Sequence, residues 1–209
     1  MIPTIRQWID RHYAHPKGWM GRFIGRKMIN QHKTEVMWTI EQMTVRPHET
    51  ILELGCGAGA ALQQFHYLFP DVQLIGLDQS KTMVTAATKR NRKAIHQGTV
   101  RLIQGDFHHP SLPAASVHHI FSIHTLYFWN DLTLVLVEMK RILLPSGTFH
   151  ITYCDGKNDE TWETVRSRVS QELIPIAQSL GFDSLTLLRG PVSRGYHTVA
   201  IRGTLPSVD

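Results

Sequence analysis

The stretch ILELGCGAGAAL, which begins at Ile51, constrains the fold more than any other part of the chain. Its glycines, Gly55, Gly57 and Gly59, alternate with small residues, directly after an apolar run and directly before a helix-like one. Glycine lets the backbone approach a ligand closely and adopt conformations that other residues avoid. A glycine turn that opens a helix also places the positive end of the helix dipole beside the ligand. The stretch therefore predicts a nucleotide-binding turn in an α/β fold.

After residue 50, short apolar runs alternate with helical stretches, an arrangement typical of βαβ units and a parallel sheet. The final two apolar runs have only a short turn between them, so they are expected to pair antiparallel. The fold expected is an α/β doubly wound sheet of seven strands, mostly parallel with an antiparallel C-terminal strand. The predicted strands cover residues 51–54, 72–77, 100–103, 117–123, 148–153, 183–188 and 196–202.

The chain is expected to consist of a helical N-terminal extension and one globular unit. Apolar residues recur at three-to-four spacing before residue 45, so residues 1–47 are predicted to form the extension and residues 48–209 the nucleotide-binding domain. No apolar run reaches the roughly 18 residues of a membrane-spanning helix, and no signal peptide is expected. A cytoplasmic protein with Cys56 and Cys154 as free thiols is the simplest interpretation.

The glycine pattern alone also fits a dinucleotide site, because Gly55, Gly57 and Ala60 satisfy its relaxed form. Three features favour a different nucleotide. Glu53, two residues before Gly55, would repel a pyrophosphate but suits a ligand that carries an ammonium group. Asp106 follows the third predicted strand, where it could accept a hydrogen bond from an adenine amino group. No second domain is expected that would hold a hydride-transfer substrate.

Five segments resemble, in order and spacing, the motifs of class I S-adenosylmethionine-dependent methyltransferases. They are ILELGCGAGAAL, GLDQSKTMV, IQGDF, HHIFSIHTLYFWND and MKRILLPSGTFHI, and together they span about residues 50–155. The general likeness is to small methyltransferases of the quinone-biosynthesis type. The sequence departs from the family in having Pro-Ser-Gly at 145–147 for Pro-Gly-Gly, and a histidine pair at 118–119 where Phe-Asp or Tyr-Asp is common. The resemblance implies a Rossmann-like sheet and S-adenosylmethionine as cofactor, with S-adenosylhomocysteine as product.

The resemblance also assigns cofactor roles to residues that match the family's motifs. Asp78 would hold the ribose hydroxyls, and Gln79 and Met83 would flank the adenine. Asp106 would accept from the adenine amino group, with Phe107 stacked nearby. The residues expected to bind the cofactor are Glu53, Gly55, Cys56, Gly57, Gly59, Asp78, Gln79, Met83, Gly105, Asp106, Phe107 and Ser122.

Methyl transfer from a sulfonium requires mainly that the acceptor atom be placed in line behind the methyl group. A base is needed only where the acceptor must lose a proton. His124, at the end of the fourth strand, is the candidate base because imidazole titrates near neutral pH, and Tyr127 is the second candidate catalytic residue. The alternative is that His124 only hydrogen-bonds the cofactor or a loop.

The acceptor pocket is expected to be walled by the aromatic run 127–129 and by residues 18–32 of the extension, which would form a lid. The alternatives are plain packing on the domain and contact of the extension with a membrane surface. The residues expected to contact the acceptor are Trp19, Met20, Phe23, His32, His124, Tyr127, Phe128 and Trp129.

The expected function is methyl transfer to a nitrogen or oxygen atom of a small molecule. The formal net charge of +5 and pI of about 9.4 also favour anionic partners, so an RNA methyltransferase is the alternative enzyme. A NAD-type nucleotide-binding protein without methyl transfer is the third hypothesis. No metal site is expected, since the adjacent strand residues His118 and His119 would point to opposite faces. The expected assembly is a monomer or a homodimer.

Overall fold

The computed structural model describes residues 33–207, which form a sheet with helices packed on both faces. Eight strands belong to this sheet within the described range. Seven of them match the predicted strands, and the eighth is a two-residue strand that pairs with its predecessor. The strands are β1 Thr50–Leu54, β2 Gln73–Asp78, β3 Val100–Gln104, β4 Val117–Ile123, β5 Leu143–Lys157, β6 Glu160–Thr161, β7 Asp183–Ser193 and β8 Tyr196–Thr204.

The helices lie mostly in the connections between strands, as the alternation in the sequence predicts. A 3₁₀ turn at Leu126–Phe128 follows β4. The α-helices of the described residues are α1 Lys33–Glu41, α2 Ala60–Leu68, α3 Lys81–Arg90, α4 Arg92–His96, α5 Leu132–Ile142, α6 Glu163–Ser167 and α7 Ile174–Ser179. None of them is long and apolar enough to cross a membrane.

The helical region after β6 is interrupted by a π-helical segment, Arg168–Leu173, which joins α6 to α7. Pro175 lies directly after this segment, near the start of α7. A proline ring crowds the carbonyl one helical turn earlier and cannot donate to it. A widened turn is one way for a helix to accommodate such a residue, and it accounts for the change of helix type here.

The sheet has the strand order β3-β2-β1-β4-β5-β8-β7. Strands β1 to β5 pair in parallel along this order, whereas β8 runs antiparallel to both β5 and β7. The predicted mostly parallel sheet with an antiparallel C-terminal strand is thus confirmed. The order reverses between β1 and β4, because the chain crosses from the β3 edge back to the far side of β1. Ligands of such sheets bind at the carboxyl ends of the strands beside this reversal.

Two apolar clusters pack on the two faces of the sheet. One contains residues of α5, the π-helical segment and α7, and Trp129 is wholly enclosed in it. The other contains residues of α1, α2 and α4. Burial of this apolar surface on both faces holds the strands in place and so fixes the positions of the strand ends.

Helix α1 is the part of the predicted N-terminal extension that lies in the described range. It packs against the face of the sheet through Val36 and Ile40. The Thr39 hydroxyl is 2.8 Å from the Thr152 hydroxyl of β5. Both threonines are buried, so this hydrogen bond ties α1 to the strand next to β4.

Candidate cofactor and active site

The glycine turn between β1 and α2 has the conformation that its sequence predicts. Gly55, Gly57 and Gly59 all have positive φ angles, of 77°, 51° and 70°. The amides of Gly55 and Cys56 both donate to the carbonyl of Leu77, at 2.8 and 3.0 Å. These hydrogen bonds attach the turn to the end of β2, so the carboxyl ends of β1 and β2 lie side by side.

Two of these glycines are required by their neighbours. A Cβ on Gly55 would lie 2.2 Å from the Thr125 methyl carbon, and one on Gly59 would lie 2.5 Å from the Asn91 side-chain nitrogen. A Cβ on Gly57 would meet no atom within 4 Å. Gly57 therefore borders open space, as expected of a turn that leaves its backbone accessible to a ligand.

Asp78 lies at the end of β2 and binds the glycine turn directly. One carboxylate oxygen accepts from the Gly57 amide and the other from the Ser80 amide, each at 2.8 Å. Ser80 in turn caps α3 by accepting from the amide of Met83. Asp78 is half-buried, so its carboxylate sits at the boundary between the sheet and the open side of the turn.

Glu53 of β1 is buried, with 4% of its surface exposed. Burial raises the pKa of its carboxyl to about 8, and the negative charge of Asp78 adds to this effect. Its Oε2 atom has no hydrogen-bond partner among the described residues. A buried acid with a vacant acceptor suits a cationic or hydrogen-bond-donating ligand group.

Asp106 follows β3 and is about half exposed, at 53% of its side chain. Its pKa is lowered mainly by the hydrogen bond from the His108 amide, and further by the His108 ring 2.7 Å away. The Gln79 side-chain nitrogen lies 3.4 Å from the same carboxylate. The amide of Gly105 donates to the Asp78 carbonyl, which joins the ends of β2 and β3. Gln79 and Asp106, predicted to contact the adenine, are therefore neighbours.

Two predicted cofactor residues on this side are buried. Phe107 is 6% exposed and packs in the cluster beneath α5, and Met83 is 4% exposed. Cys56 is also buried, and burial raises the pKa of its thiol well above the usual value. Contact of these side chains with the cofactor stays a prediction.

The end of β4 brings polar residues beside the glycine turn. Ser122 is buried, and its hydroxyl has no partner among the described residues. His124 has a φ of 58°, and its amide donates to the Thr152 carbonyl of β5 at 2.8 Å. Such left-handed backbone is uncommon outside glycine and concentrates at functional sites. His124 is partly exposed as a residue, but the Nε2 atom of its ring is buried, so its role as a base stays a prediction.

The aromatic run after β4 is divided between core and surface. Trp129 is fully buried and Phe128 is 37% exposed. The Tyr127 hydroxyl accepts from the Cys154 amide at 2.5 Å and donates to the Cys154 carbonyl at 3.1 Å. Burial raises the pKa of this phenol far above its usual value, which favours a structural role over proton transfer. Because Trp129 is buried in the core, only a change in packing would bring it to an acceptor, and the acceptor contacts of all three aromatic residues stay predictions.

Some predicted residues lie outside the described range. These are the acceptor-side residues Trp19, Met20, Phe23 and His32. Within residues 33–207, no group of three or more His, Cys, Asp or Glu side chains is placed to hold a metal ion.

Comparison with known proteins identifies the family of this chain. The family model described as a methyltransferase domain matches residues 52–151. An uncharacterised methyltransferase, YdaC of Bacillus subtilis strain 168, is 31% identical over 160 residues, which are 77% of this chain and 86% of that protein. The chain belongs to the class I S-adenosylmethionine-dependent methyltransferases.

The chain is also similar to a second methyltransferase in sequence and to a solved methyltransferase structure in fold. Trans-aconitate 2-methyltransferase of Yersinia pseudotuberculosis is 26% identical over 129 residues, or 61% of this chain and 46% of that protein. The crystal structure of a SAM-dependent methyltransferase from Aquifex aeolicus shares the fold at a TM-score of 0.72. The two chains are 18% identical, and the alignment covers 87% of this chain and 96% of that one.

Sequence patterns did not identify every residue that shapes the methyltransferase site. Asn91 is buried and donates to the carbonyls of Gly59 and Ala87, which holds the glycine turn against α3. Thr125 is buried against Gly55. Both contacts join segments distant in sequence. In the sequence, the only indication of these contacts is the glycine at each position, because a glycine leaves room for a neighbouring side chain. It does not identify that neighbour as Thr125 or Asn91.

Proposed function

We propose that the glycine turn, Glu53 and Asp78 bind S-adenosylmethionine, and that the enzyme transfers its methyl group to a nitrogen or oxygen atom of a small molecule. The observation that carries the proposal is the vacant oxygen of buried Glu53 beside the open turn at Gly57. A pyrophosphate would oppose ionisation of Glu53 and would be repelled by Asp78, whereas an amino-acid tail with an ammonium group would stabilise the ionised form of Glu53.

The residues present fit this cofactor, which supplies an activated methyl group when bound. Asp78 is held by two amides, so its carboxylate is oriented in advance for the ribose hydroxyls. Gln79 and Asp106 offer a hydrogen-bonding edge for the adenine. The Gly57 backbone leaves room for the amino-acid tail.

The acceptor would bind at the ends of β4 and β5. His124 directly follows β4 there and would take a proton from an acceptor that must lose one. The remaining task of the protein is to hold the acceptor atom in line and to exclude water. The relative named for trans-aconitate supports a small molecule as the acceptor.

Binding of S-adenosylhomocysteine, measured by calorimetry, tests the cofactor assignment. Asp78→Asn should weaken this binding about tenfold or more, because hydrogen bonds to charged groups contribute about 1.5–3 kcal/mol. The matched control is Asp131→Asn, since Asp131 is an exposed cap of α5 and asparagine also caps helices. Equal affinity of both variants and the wild type would contradict the assignment.

Transfer of labelled methyl from S-adenosylmethionine identifies the acceptor class. Small amines, phenols and carboxylic acids should accept label, and transfer RNA should not. Label in RNA with a steep salt dependence would instead support the RNA hypothesis. Binding of NAD in place of S-adenosylhomocysteine would overturn the proposed function altogether.

A further inference from the structure

Thr125 has an unusual environment in the turn that follows β4. It is 6% exposed, and its hydroxyl has no hydrogen-bond partner within residues 33–207. Its methyl carbon lies 2.2 Å from the position that a Cβ on Gly55 would occupy, and its hydroxyl oxygen lies 3.7 Å from that position. The methyl group therefore fills the space left by Gly55, and the hydroxyl lies slightly farther from the glycine.

A buried hydroxyl without a partner destabilises a folded protein, and valine has almost the same shape without this cost. If Thr125 only packed against Gly55, valine would fill the same space at least as well. The hydroxyl is beside the turn whose φ angles open the backbone to a ligand, and Glu53 presents another vacant oxygen two residues before Gly55. Two buried polar groups without partners among the described residues, one on β1 and one in the turn after the neighbouring β4, point to a ligand that pairs with both.

We infer that the Thr125 hydroxyl hydrogen-bonds the amino-acid end of S-adenosylmethionine, opposite the vacant oxygen of Glu53. A hydroxyl both donates and accepts, so it pairs with the carboxylate or the ammonium group of that end. Thr125 is thereby a cofactor-binding residue contributed by the turn after β4, and it joins the acceptor side of the site to the glycine turn. This inference rests on the proposed function.

The test compares two ligands that differ in the amino-acid end. S-adenosylhomocysteine carries it, and 5′-methylthioadenosine lacks it. Thr125→Val should weaken binding of S-adenosylhomocysteine about five- to tenfold, the effect of one lost hydrogen bond. The same variant should bind 5′-methylthioadenosine as the wild type does. Thr125→Ser, which keeps the hydroxyl, should retain most of the affinity for S-adenosylhomocysteine.

A second measurement separates binding from folding. Without ligand, Thr125→Val should unfold at the same temperature as the wild type or higher, because it removes a buried unpaired hydroxyl. The matched control is Thr198→Val. Thr198 is a buried threonine of β8, its hydroxyl also lacks a partner in the described residues, and it pairs with Cys154 in register, away from the glycine turn. Thr198→Val should leave S-adenosylhomocysteine binding unchanged.

The outcomes distinguish this inference from the proposed function. Wild-type protein that fails to bind S-adenosylhomocysteine refutes the proposed function. Wild-type binding with undiminished affinity in Thr125→Val refutes only the role of Thr125. A Thr125→Val variant that loses affinity equally for both ligands also refutes it, since the loss would then come from altered packing.

Discussion

At the residue scale, Glu53 combines two properties that seldom occur together in a folded protein. It is buried, and one of its oxygens has no partner in the described part of the chain. Because its pKa is raised to about 8, the carboxyl is mostly protonated at neutral pH in the free protein. A positively charged ligand nearby would favour the ionised form.

Binding of S-adenosylmethionine at pH 7 should therefore release close to one proton, on the order of 0.9 per site for a pKa about one unit above the pH. Calorimetry in buffers with different ionisation enthalpies measures this number directly. In Glu53→Gln, the observed enthalpy should no longer depend on the buffer. Buffer-independent binding by the wild type would show that Glu53 keeps its protonation state.

The pKa shift of Glu53 also sets the sign of its effect on stability. The pKa of Glu53 in the folded protein lies above its value in the unfolded chain. Its contribution to the free energy of unfolding is therefore fully present below about pH 4.5 and is lost as the pH rises through about 8. Glu53→Gln should flatten this decline in the ligand-free protein. Denaturant unfolding at pH 6 and pH 9 measures the difference between the two proteins, and identical curves would contradict the shift.

At the element scale, the glycines of the turn differ in the space that surrounds them, so substitutions of Gly59 and Gly57 should have different effects. Gly59→Ala would place a Cβ 2.9 Å from Ala87 and 2.5 Å from Asn91, at a φ of 70°. Left-handed strain and overpacking together should lower the free energy of unfolding by about 2–5 kcal/mol.

Gly57→Ala provides the contrast, because its Cβ would enter open space. Only the strain of a positive φ should appear in stability, about 1–2 kcal/mol. The methyl group would, however, occupy the space proposed for the cofactor, so S-adenosylhomocysteine should bind at least tenfold more weakly than to the wild type. Denaturant unfolding and calorimetry on both variants test whether Gly59→Ala acts mainly on stability and Gly57→Ala mainly on binding. Equal losses of stability and equal losses of affinity in the two variants would refute this expectation.

The turn after β4 is fastened to β5 by the Tyr127 hydroxyl. Tyr127→Phe leaves the amide and carbonyl of Cys154 without that partner. The free energy of unfolding should fall by about 1–3 kcal/mol. Because the phenol does not titrate near neutral pH, the pH dependence of methyl transfer should keep its shape, whereas His124→Gln should change it. A shape altered by Tyr127→Phe would restore this residue as a proton-transfer candidate.

At the scale of the whole molecule, the stability of the fold should depend on pH through His150. This histidine of β5 is 2% exposed, and burial lowers its pKa to about 4, with smaller effects from His119 and Arg202. The unfolded chain takes up a proton near pH 6.5 and the folded protein does not, so stability is lost as the pH falls from 6.5 towards 4. The contribution of His150 alone should fall by about 2 kcal/mol from pH 7 to pH 5, whereas Glu53, with its raised pKa, acts in the opposite direction over this range.

Urea unfolding of the wild type and of His150→Leu at these two pH values isolates this contribution. The difference in the free energy of unfolding between pH 7 and pH 5 should change by about 2 kcal/mol in His150→Leu, since the other groups, such as Glu53 and His119, are present in both proteins. The control is His96→Leu on exposed α4, which should leave the difference unchanged. An unchanged difference in His150→Leu would show that His150 is not the source.

Much of the fold could be predicted from the sequence because its signals are local. Alternating apolar runs and helical stretches identify the strands, and the glycine turn marks where β1 meets α2. The location of Asp78 beside the glycine turn follows from its position at the end of the second strand. The contacts of Thr39 with Thr152 and of Asn91 with Gly59 could not be predicted, because they depend on how distant segments pack. The exposed or buried state of each aromatic after β4 depends on packing for the same reason.

The two amides that hold Asp78 have a consequence for the affinity of the proposed ribose contact. A carboxylate already fixed by Gly57 and Ser80 has little rotational entropy left to lose when a ribose arrives. The nucleoside half of the ligand would thus meet a rigid surface at first encounter.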